Sequence, residues 1–271
     1  MNFCKLIKNI FLGGSILVLI IAGIGCSNKA SESTLDKDIL IVGMDDAFAP
    51  MGFKDESGEI TGFDVDLAKE LGKRLNKEII FQPIDWTMKE SELKSGNIDL
   101  IWNGYTITEE RKNKVDFSVP YLKNKQVIVT LADSNINSKS DLANKKVGAQ
   151  SESSAVAAME KEEDLYASFN GGCAITFEDN NQALMDLEAG RIDAVVADEI
   201  LVRYYLNLKG EDKFKILDDN FGDEEYGVGI RKGDTEMVDA FNKAYKEMQK
   251  DGTLQEISKK WFNEDITIKS E

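Results

Sequence analysis

The sequence contains no histidine. That absence removes every His-based triad, general base and metal ligand. Cysteine is scarce: Cys4, Cys26 and Cys173 fit no zinc-ligand spacing and are too few for a disulfide framework. Basic residues are outnumbered, 33 Lys and Arg against 49 Asp and Glu, leaving a formal net charge of -16. Such a balance argues against a nucleic-acid partner, which needs clustered Lys and Arg. Long apolar runs are missing too. The uncharged stretch from Ile10 to Gly25 is shorter than the roughly 20 residues of a membrane-spanning helix. What remains is a chain of 271 residues, 42% hydrophobic, too apolar for disorder and long enough for one large domain or two lobes.

The N-terminus has the organisation of an export signal. Lys5 and Lys8 precede the apolar stretch, which ends at Gly25-Cys26-Ser27. A cysteine after a small residue resembles a bacterial lipoprotein cleavage site, with Cys26 as the lipidated first residue of the mature chain. Gly23 stands where Leu is usual there; an uncleaved anchor and ordinary cleavage nearby are the alternatives. Removing residues 1–25 takes away Lys5 and Lys8 and brings the charge from -16 to -18. Residues 26–37 are polar and read as a flexible tether. Cys173, the only other thiol of the mature chain, reads as a buried small hydrophobe.

The body alternates strands and helices. Apolar runs predict strands at Ile39–Met44, Glu78–Ile84, Ile98–Trp102, Gln126–Leu131, Val147–Ala149, Ala174–Phe177, Ala194–Ala197 and Tyr226–Ile230. Helical periodicity predicts helices at Phe63–Leu75, Ser154–Leu165, Asn180–Ala189, Glu199–Leu208, Thr235–Lys250 and Leu254–Phe262, and a short one from Thr108. The class is α/β with largely parallel sheets. One internal echo stands out: Leu93 to Asp99 (LKSGNID) recurs as Leu187 to Asp193 (LEAGRID). Each copy ends a helix with Gly and enters an apolar strand, as two similarly wound lobes would.

In open α/β sheets ligands sit beyond the carboxyl ends of strands. Those ends carry Asp45 and Phe48, then Trp86, then Asn103, Gly104, Thr106 and Arg111, then Gln150, Ser153 and Ser154, then Asp198. Arg111 can clamp a carboxylate bidentately, with Thr106 and the two serines as further donors. Asp198 can hold an ammonium, and Phe48 and Trp86 can flank a ligand body. Together they describe a zwitterion, an α-amino acid. Plainer roles stay open: Thr108, Ser153 and Asp198 as helix N-caps, Arg111 as a surface partner of Glu109 or Glu110, the aromatics as core, and Asp64 and Asp66 as helix-dipole partners. The acidic stretch Asp218, Asp219, Asp223, Glu224, Glu225 reads as a solvated loop, since it lacks a calcium-loop pattern.

Gly62-Phe63-Asp64-Val65-Asp66-Leu67, continuing to Leu71-Gly72 and Leu75, resembles the signature of family 3 solute-binding proteins of bacterial ABC importers. The resemblance runs along nearly the whole mature chain, through Asp45 to Pro50, Ile98 to Arg111, Asp116 to Tyr121 and Asp193 to Glu199. It implies a two-lobe periplasmic-binding-protein-like fold, with residues 38–124 and 226–262 as lobe 1, residues 125–225 as lobe 2, a two-segment hinge and a tail at 263–271. It implies that Arg111 and Thr106, helped by Ser153 or Ser154, hold an α-carboxylate, that Asp198 holds the α-ammonium, and that Phe48 and Trp86 flank the side chain. Asp45 lies where some members contact a side-chain head group. Glu152 stands where the family usually has Gly, and Trp102-Asn103-Gly104 where many members are Ser-rich. The implied partners are a free amino acid, the permease subunits of an ABC transporter and, through the lipid anchor, the cell membrane. The implied protein is an extracytoplasmic monomer that binds no metal or cofactor. The competing reading is a secreted enzyme on the same fold, similar to cyclohexadienyl dehydratase, which would need a positioned acid or base in the cleft.

Overall fold

A computed structural model describes residues 33–210 and 212–269. The export signal, Cys26 and most of the tether lie outside the described residues. The first half of the chain forms β1 (Ile39–Met44), β2 (Ala47–Phe48), β3 (Gly52–Lys54), β4 (Ile60–Thr61), α1 (Phe63–Leu75), β5 (Glu78–Pro83), α2 (Lys89–Ser95), β6 (Leu100–Ile101), α3 (Glu109–Lys114), β7 (Val115–Phe117) and β8 (Leu122–Leu131). There follow β9 (Val147–Gln150), α4 (Ser154–Glu160), α5 (Glu163–Ala167), β10 (Ile175–Phe177), α6 (Asn180–Glu188), β11 (Ala194–Asp198), α7 (Glu199–Lys209), β12 (Phe214–Tyr226), β13 (Gly229–Arg231), α8 (Thr235–Asp251) and α9 (Thr253–Phe262). Among the described residues no helix is long and apolar enough to cross a membrane.

Two five-stranded sheets carry the two lobes, in the orders β5-β1-β6-β13-β7 and β10-β9-β11-β8-β12. In the first, β1 runs parallel to β5 and β6, and β13 lies antiparallel to β6. The second repeats that arrangement, with β9 parallel to β10 and β11, and β8 antiparallel to β11. The two copies of the repeated heptapeptide lead into β6 and β11, which hold the same place in their sheets. Their glycines, Gly96 and Gly190, have φ of 82° and 67°, the left-handed conformation that ends a helix. The chain passes from the first sheet to the second between β7 and β8, and returns between β12 and β13.

Core packing follows the periodicities. Phe63, Leu67, Ala68 and Leu71 on one face of α1 are buried, in one cluster with Leu40 and Val42 of β1 and with Phe241 and Tyr245 of α8. Ala194 and Val196 of β11 pack with Val147, Ala149, Ala155 and Met159, while Val195 and Ala197 point to the other face with Leu184, Leu187 and Leu201. A parallel strand buried on both faces reads as a continuous apolar run, which is why these strands are visible in sequence.

Four expectations are corrected. The helix expected over Ser154–Leu165 is two helices, broken at Lys161 and Glu162. The acidic stretch is no loop: it forms much of β12, and Asp223 and Glu225 stand opposite Lys125 and Lys123 of β8. Opposite charges across an antiparallel pair stabilise the strand that the acids alone would disfavour. Cys173 is exposed. Asp64 does more than complement a helix dipole. It is fully buried, and its Oδ2 accepts from the Gly104 amide at 2.7 Å and the Tyr121 hydroxyl at 2.9 Å.

Both ends of the described chain are held. Thr34 is buried, and its amide and the Ser33 hydroxyl donate to Asp234 at 2.8 and 2.9 Å. Thr267 pairs with Leu122, and the Ile268 amide donates to the Tyr121 carbonyl at 2.9 Å. Behind β1, fully buried Asp99 accepts from Lys37 Nζ at 2.5 Å, the Ile41 amide at 3.0 Å and Arg231 Nη2 at 3.2 Å. Removing that carboxylate leaves the Ile41 amide without its acceptor and two cations, Lys37 and Arg231, without their buried counter-charge. Asp99→Ala is expected to destabilise the fold by about 3–5 kcal/mol, read by urea denaturation; a loss below about 1 kcal/mol would show the cluster to be superficial.

Candidate functional site

The carboxyl ends of β1, β6, β9 and β11 converge. Ten of the eleven expected residues, Asp45, Phe48, Trp86, Asn103, Gly104, Arg111, Gln150, Ser153, Ser154 and Asp198, line one small, tightly closed cavity. Thr106 is not in its wall, but is bonded to two residues that are. Its hydroxyl donates to Ser154 Oγ at 3.0 Å and its carbonyl accepts from Arg111 Nη1 at 3.0 Å.

Arg111 lies in the first turn of α3, which Thr108 caps by accepting from the Arg111 amide at 3.1 Å. The capped turn aims the side chain inward, where it is buried. Glu109 and Glu110 pair instead with Lys112 and Lys114, at 2.7 Å each. The guanidinium rests on the Tyr105 ring, 4.5 Å from its centroid. Nη2 donates to the Glu152 carbonyl at 3.4 Å, and the carboxylate within ion-pair reach is Glu90, 4.0 Å from Nε. Two carbonyls and one distant acid leave this cation short of negative charge. Glu152 has φ of 54°, which explains why glycine is usual there. Its carbonyl also accepts from buried Lys89, at 3.2 Å. Burial, then the neighbouring Arg111, pushes the Lys89 ammonium down to about 8.

Asp198 occupies the N-cap position of α7 without capping it. Its Oδ1 accepts instead from Asn124 Nδ2 at 2.6 Å, the Tyr226 hydroxyl at 2.6 Å and Gln126 Nε2 at 3.1 Å. Burial, then the adjacent Glu224 carboxylate, raises its carboxyl well above the usual range. Ser153 does cap α4, accepting from the Val156 amide at 3.4 Å. Its hydroxyl proton stays available to the cavity. Sequence reasoning missed Asn124, Gln126, Glu224 and Tyr226, which surround Asp198, and Asp64, which holds Gly104. Nothing within either segment alone marked the first four, which reach Asp198 through the pairing of β8 with β12.

The rest of the wall is rich in acceptors. Asp45 Oδ1 accepts from the Ala47 amide at 2.9 Å, and Oδ2 from Gln150 Nε2 at 2.7 Å. Burial raises the Asp45 carboxyl to about 6. Asn103 Oδ1 is buried with no hydrogen-bond partner. Phe48 and Gly104 meet closely: a Cβ on Gly104 would lie 2.7 Å from the Phe48 ring, and φ there is 57°. Only a residue without a side chain lets ring and loop share this wall. Trp86 packs edge-on against Tyr105, centroids 6.0 Å apart. Contacts from Thr106 to Ser154, Arg111 and Lys89 to the Glu152 carbonyl, Gln150 to Asp45, and Asn181 to the Ala47 carbonyl tie one lobe to the other. Among the described residues no group of three or more Cys, Asp or Glu is arranged to hold a metal ion.

Residues 40–264 match the family described as bacterial extracellular solute-binding proteins, family 3. The L-cystine-binding protein TcyJ of Escherichia coli (strain K12) is 36% identical over 262 residues, covering 94% of this chain and 96% of that protein. The crystal structure of an ABC uptake transporter substrate binding protein from Streptococcus pneumoniae with bound histidine superposes with a TM-score of 0.84 at 40% identity, covering 87% of this chain and 96% of that one. An ancestral amino acid-binding protein, AncCDT-1, a precursor of cyclohexadienyl dehydratase, superposes at 0.77 with 37% identity, covering 85% of this chain and all (100%) of that one.

The Asp45 carboxyl carries a pH dependence of stability. Its folded pKa, about 6, is raised from 3.8, so the unfolded chain loses its proton first as pH rises. The stability it contributes is full below pH 3.8 and is lost on the way to pH 6. Relative to Asp45→Asn, the wild type should therefore lose roughly 2 kcal/mol between pH 4 and pH 6.5 in urea denaturation. Parallel stability curves would contradict the burial of this carboxylate.

Proposed function

This chain belongs to family 3 of the bacterial extracellular solute-binding proteins, and from that premise we propose that it captures a polar L-amino acid in the cavity between its lobes for delivery to an ABC importer. One observation carries the reading: a buried cation short of counter-charge and a buried carboxylate face the same small cavity. A zwitterion satisfies both. In this reading Arg111 receives the α-carboxylate with Thr106, Ser153 and Ser154, and Asp198 receives the α-ammonium through the oxygen turned away from its three donors. Asp45 and the unpartnered Asn103 Oδ1 accept from the side chain, so it bears N–H donors. Arginine, histidine, glutamine and the second ammonium of cystine meet that requirement. Phe48 and Trp86 bound the space around it.

The enzyme alternative has less support. The cavity holds Asp45 and Asp198 as acids, but both are engaged by amide donors, and the relatives compared are named as binding proteins. The proposed setting is the outer face of the cell membrane, with the monomeric protein held by lipid on Cys26. The proposed lobes are residues 38–124 with 226–262, and 125–225. Their hinge is the pair of crossings near Leu122–Gln126 and Asp223–Gly227.

Two measurements test this. A thermal-shift panel of L-arginine, L-histidine, L-glutamine and L-cystine should raise the melting temperature for at least one member, because a ligand that binds only the folded state stabilises it. With that member, Arg111→Ala should lose about 2–5 kcal/mol of binding free energy in calorimetry; a folded variant with unchanged affinity would remove Arg111 from the site. Small-angle scattering should then give a smaller radius of gyration with the bound amino acid than without, since a ligand touching both lobes favours the closed state. Identical curves at saturation would contradict hinge closure.

A further inference from the structure

The paired strands β8 and β12 place a second carboxylate behind Asp198. Asn124 Nδ2 donates to Asp198 Oδ1 and to Glu224 Oε1, at 2.6 Å each. Gln126 Nε2 lies 3.1 Å from Asp198 Oδ1, 2.8 Å from Glu224 Oε1 and 3.1 Å from Ser154 Oγ. The two acids thus share the same two amides. Gln126 Nε2 has three acceptors for its two hydrogens, while Gln126 Oε1 is buried without a partner. This cluster has more acceptors than protons to fill them.

Nothing nearby neutralises the pair. Side chains alternate along β8, so Asn124 and Gln126 are buried and Lys123 and Lys125 are exposed. Those lysines stand opposite Glu225 and Asp223 on β12, and with Glu199 of α7 they surround a groove on the outer side of Glu224. Among the described residues neither Asp198 nor Glu224 forms an ion pair with Lys or Arg. On the inner side the groups facing Asp198 are Tyr226 from β12, Ser154 from α4 and, across the cavity, Arg111 and the acid Asp45. Two carboxylates this close do not both ionise readily without a cation between or beside them.

We propose that Glu224 is the second carboxylate of the ammonium site, sharing one proton with Asp198 until a ligand ammonium takes the place of that proton. This rests on the amino-acid reading above for the ligand, but not for the pair itself. In the empty protein one proton rests on one of the two acids, whose oxygens share the amide donors of Asn124 and Gln126. When an ammonium arrives at the free oxygen of Asp198, its positive charge replaces the proton, which leaves to water. Binding is then linked to release of one proton. Glu224 is a positioning residue in this scheme: it acts on the ligand through Asp198. The donors of the pair come from both β8 and β12, Asn124 and Gln126 from the first and Tyr226 from the second.

The test is affinity against pH. Using the panel member with the largest thermal shift (L-arginine and L-glutamine keep their own charges from pH 5 to 7.5), calorimetry should show wild-type affinity rising up to about tenfold per pH unit over that range, until the pair is ionised. Glu224→Gln keeps an acceptor for Asn124 and Gln126 and removes the second charge; with Asp198 left as a single acid, its affinity should level off at a lower pH than that of the wild type, by about one pH unit or more. A Glu224→Gln profile that superposes on the wild-type one would assign the titration to Asp45 or to Asp198 alone and overturn the proposal, as would a flat wild-type profile. Carbon NMR of the ligand-free protein reads the pair independently. The Asp198 carboxyl should keep its proton above the ordinary carboxylate range and lose it at lower pH in Glu224→Gln; an ordinary titration, or one that Glu224→Gln does not move, would overturn the proposal. If no panel member binds at any pH, the amino-acid reading falls, while the NMR titration still decides the pair.

Discussion

A guanidinium cannot be taken out of water without something to hold it, and Arg111 is held only by carbonyls and an aromatic face. One carbonyl belongs to Thr106 in its own lobe and the other to Glu152 in the opposite lobe, so the cation bridges the cleft before any ligand is considered. Glu90 is too distant to balance it fully. Other features of the site follow from the same constraint. Thr108 caps the turn that turns the side chain inward, Tyr105 supplies a face for it, and Glu152 adopts a left-handed backbone so that its carbonyl points at it. Lys89 adds a second cation to the same carbonyl.

The opposite charge is held in a different manner. Asp198 is crowded by donors from Asn124, Gln126 and Tyr226, all on β8 and β12, the strands next to the two passages of the chain between the sheets. Its orientation therefore depends on the register of β8 against β12, and that register depends on Lys123 and Lys125 facing Glu225 and Asp223 outside. Asp64 has a comparable part on the other lobe. It fastens the Gly104 amide and the Tyr121 hydroxyl with one buried oxygen, linking the cavity wall to the residue beside the crossing. Burial raises the Asp64 carboxyl to about 7. The polar groups of the site are thus fixed by buried contacts that themselves reach the joint.

Much of this was legible in the chain. The strands β1, β9 and β11 are largely buried, so their apolar runs end where the polar cavity-lining residues begin; Asp45, Gln150 and Asp198 could be read off those ends. The repeated heptapeptide marked equivalent strands of the two sheets. The rest was hidden for physical reasons. β12 is acidic because its partner strand is basic on the same face, and a pairing of that kind has no signature within one segment. Asp64 sits where helix first-turn acids are commonly solvated, and nothing local tells a buried acid from an exposed one. Asp198 reads as a cap because Asp before a helix commonly is one; its release from that role comes from donors contributed by segments some 70 residues before it and 28 after.

The central claim is that one zwitterion closes the charge balance between Arg111 and Asp198. The most direct measurement is a crystal structure of the protein with the amino acid that raises its melting temperature most. The account predicts the α-carboxylate on the Arg111 guanidinium, within hydrogen-bond distance of Thr106, Ser153 or Ser154, and the α-ammonium on the Asp198 carboxylate. An amino acid bound elsewhere, or bound in this cavity with its carboxylate away from Arg111, would contradict it.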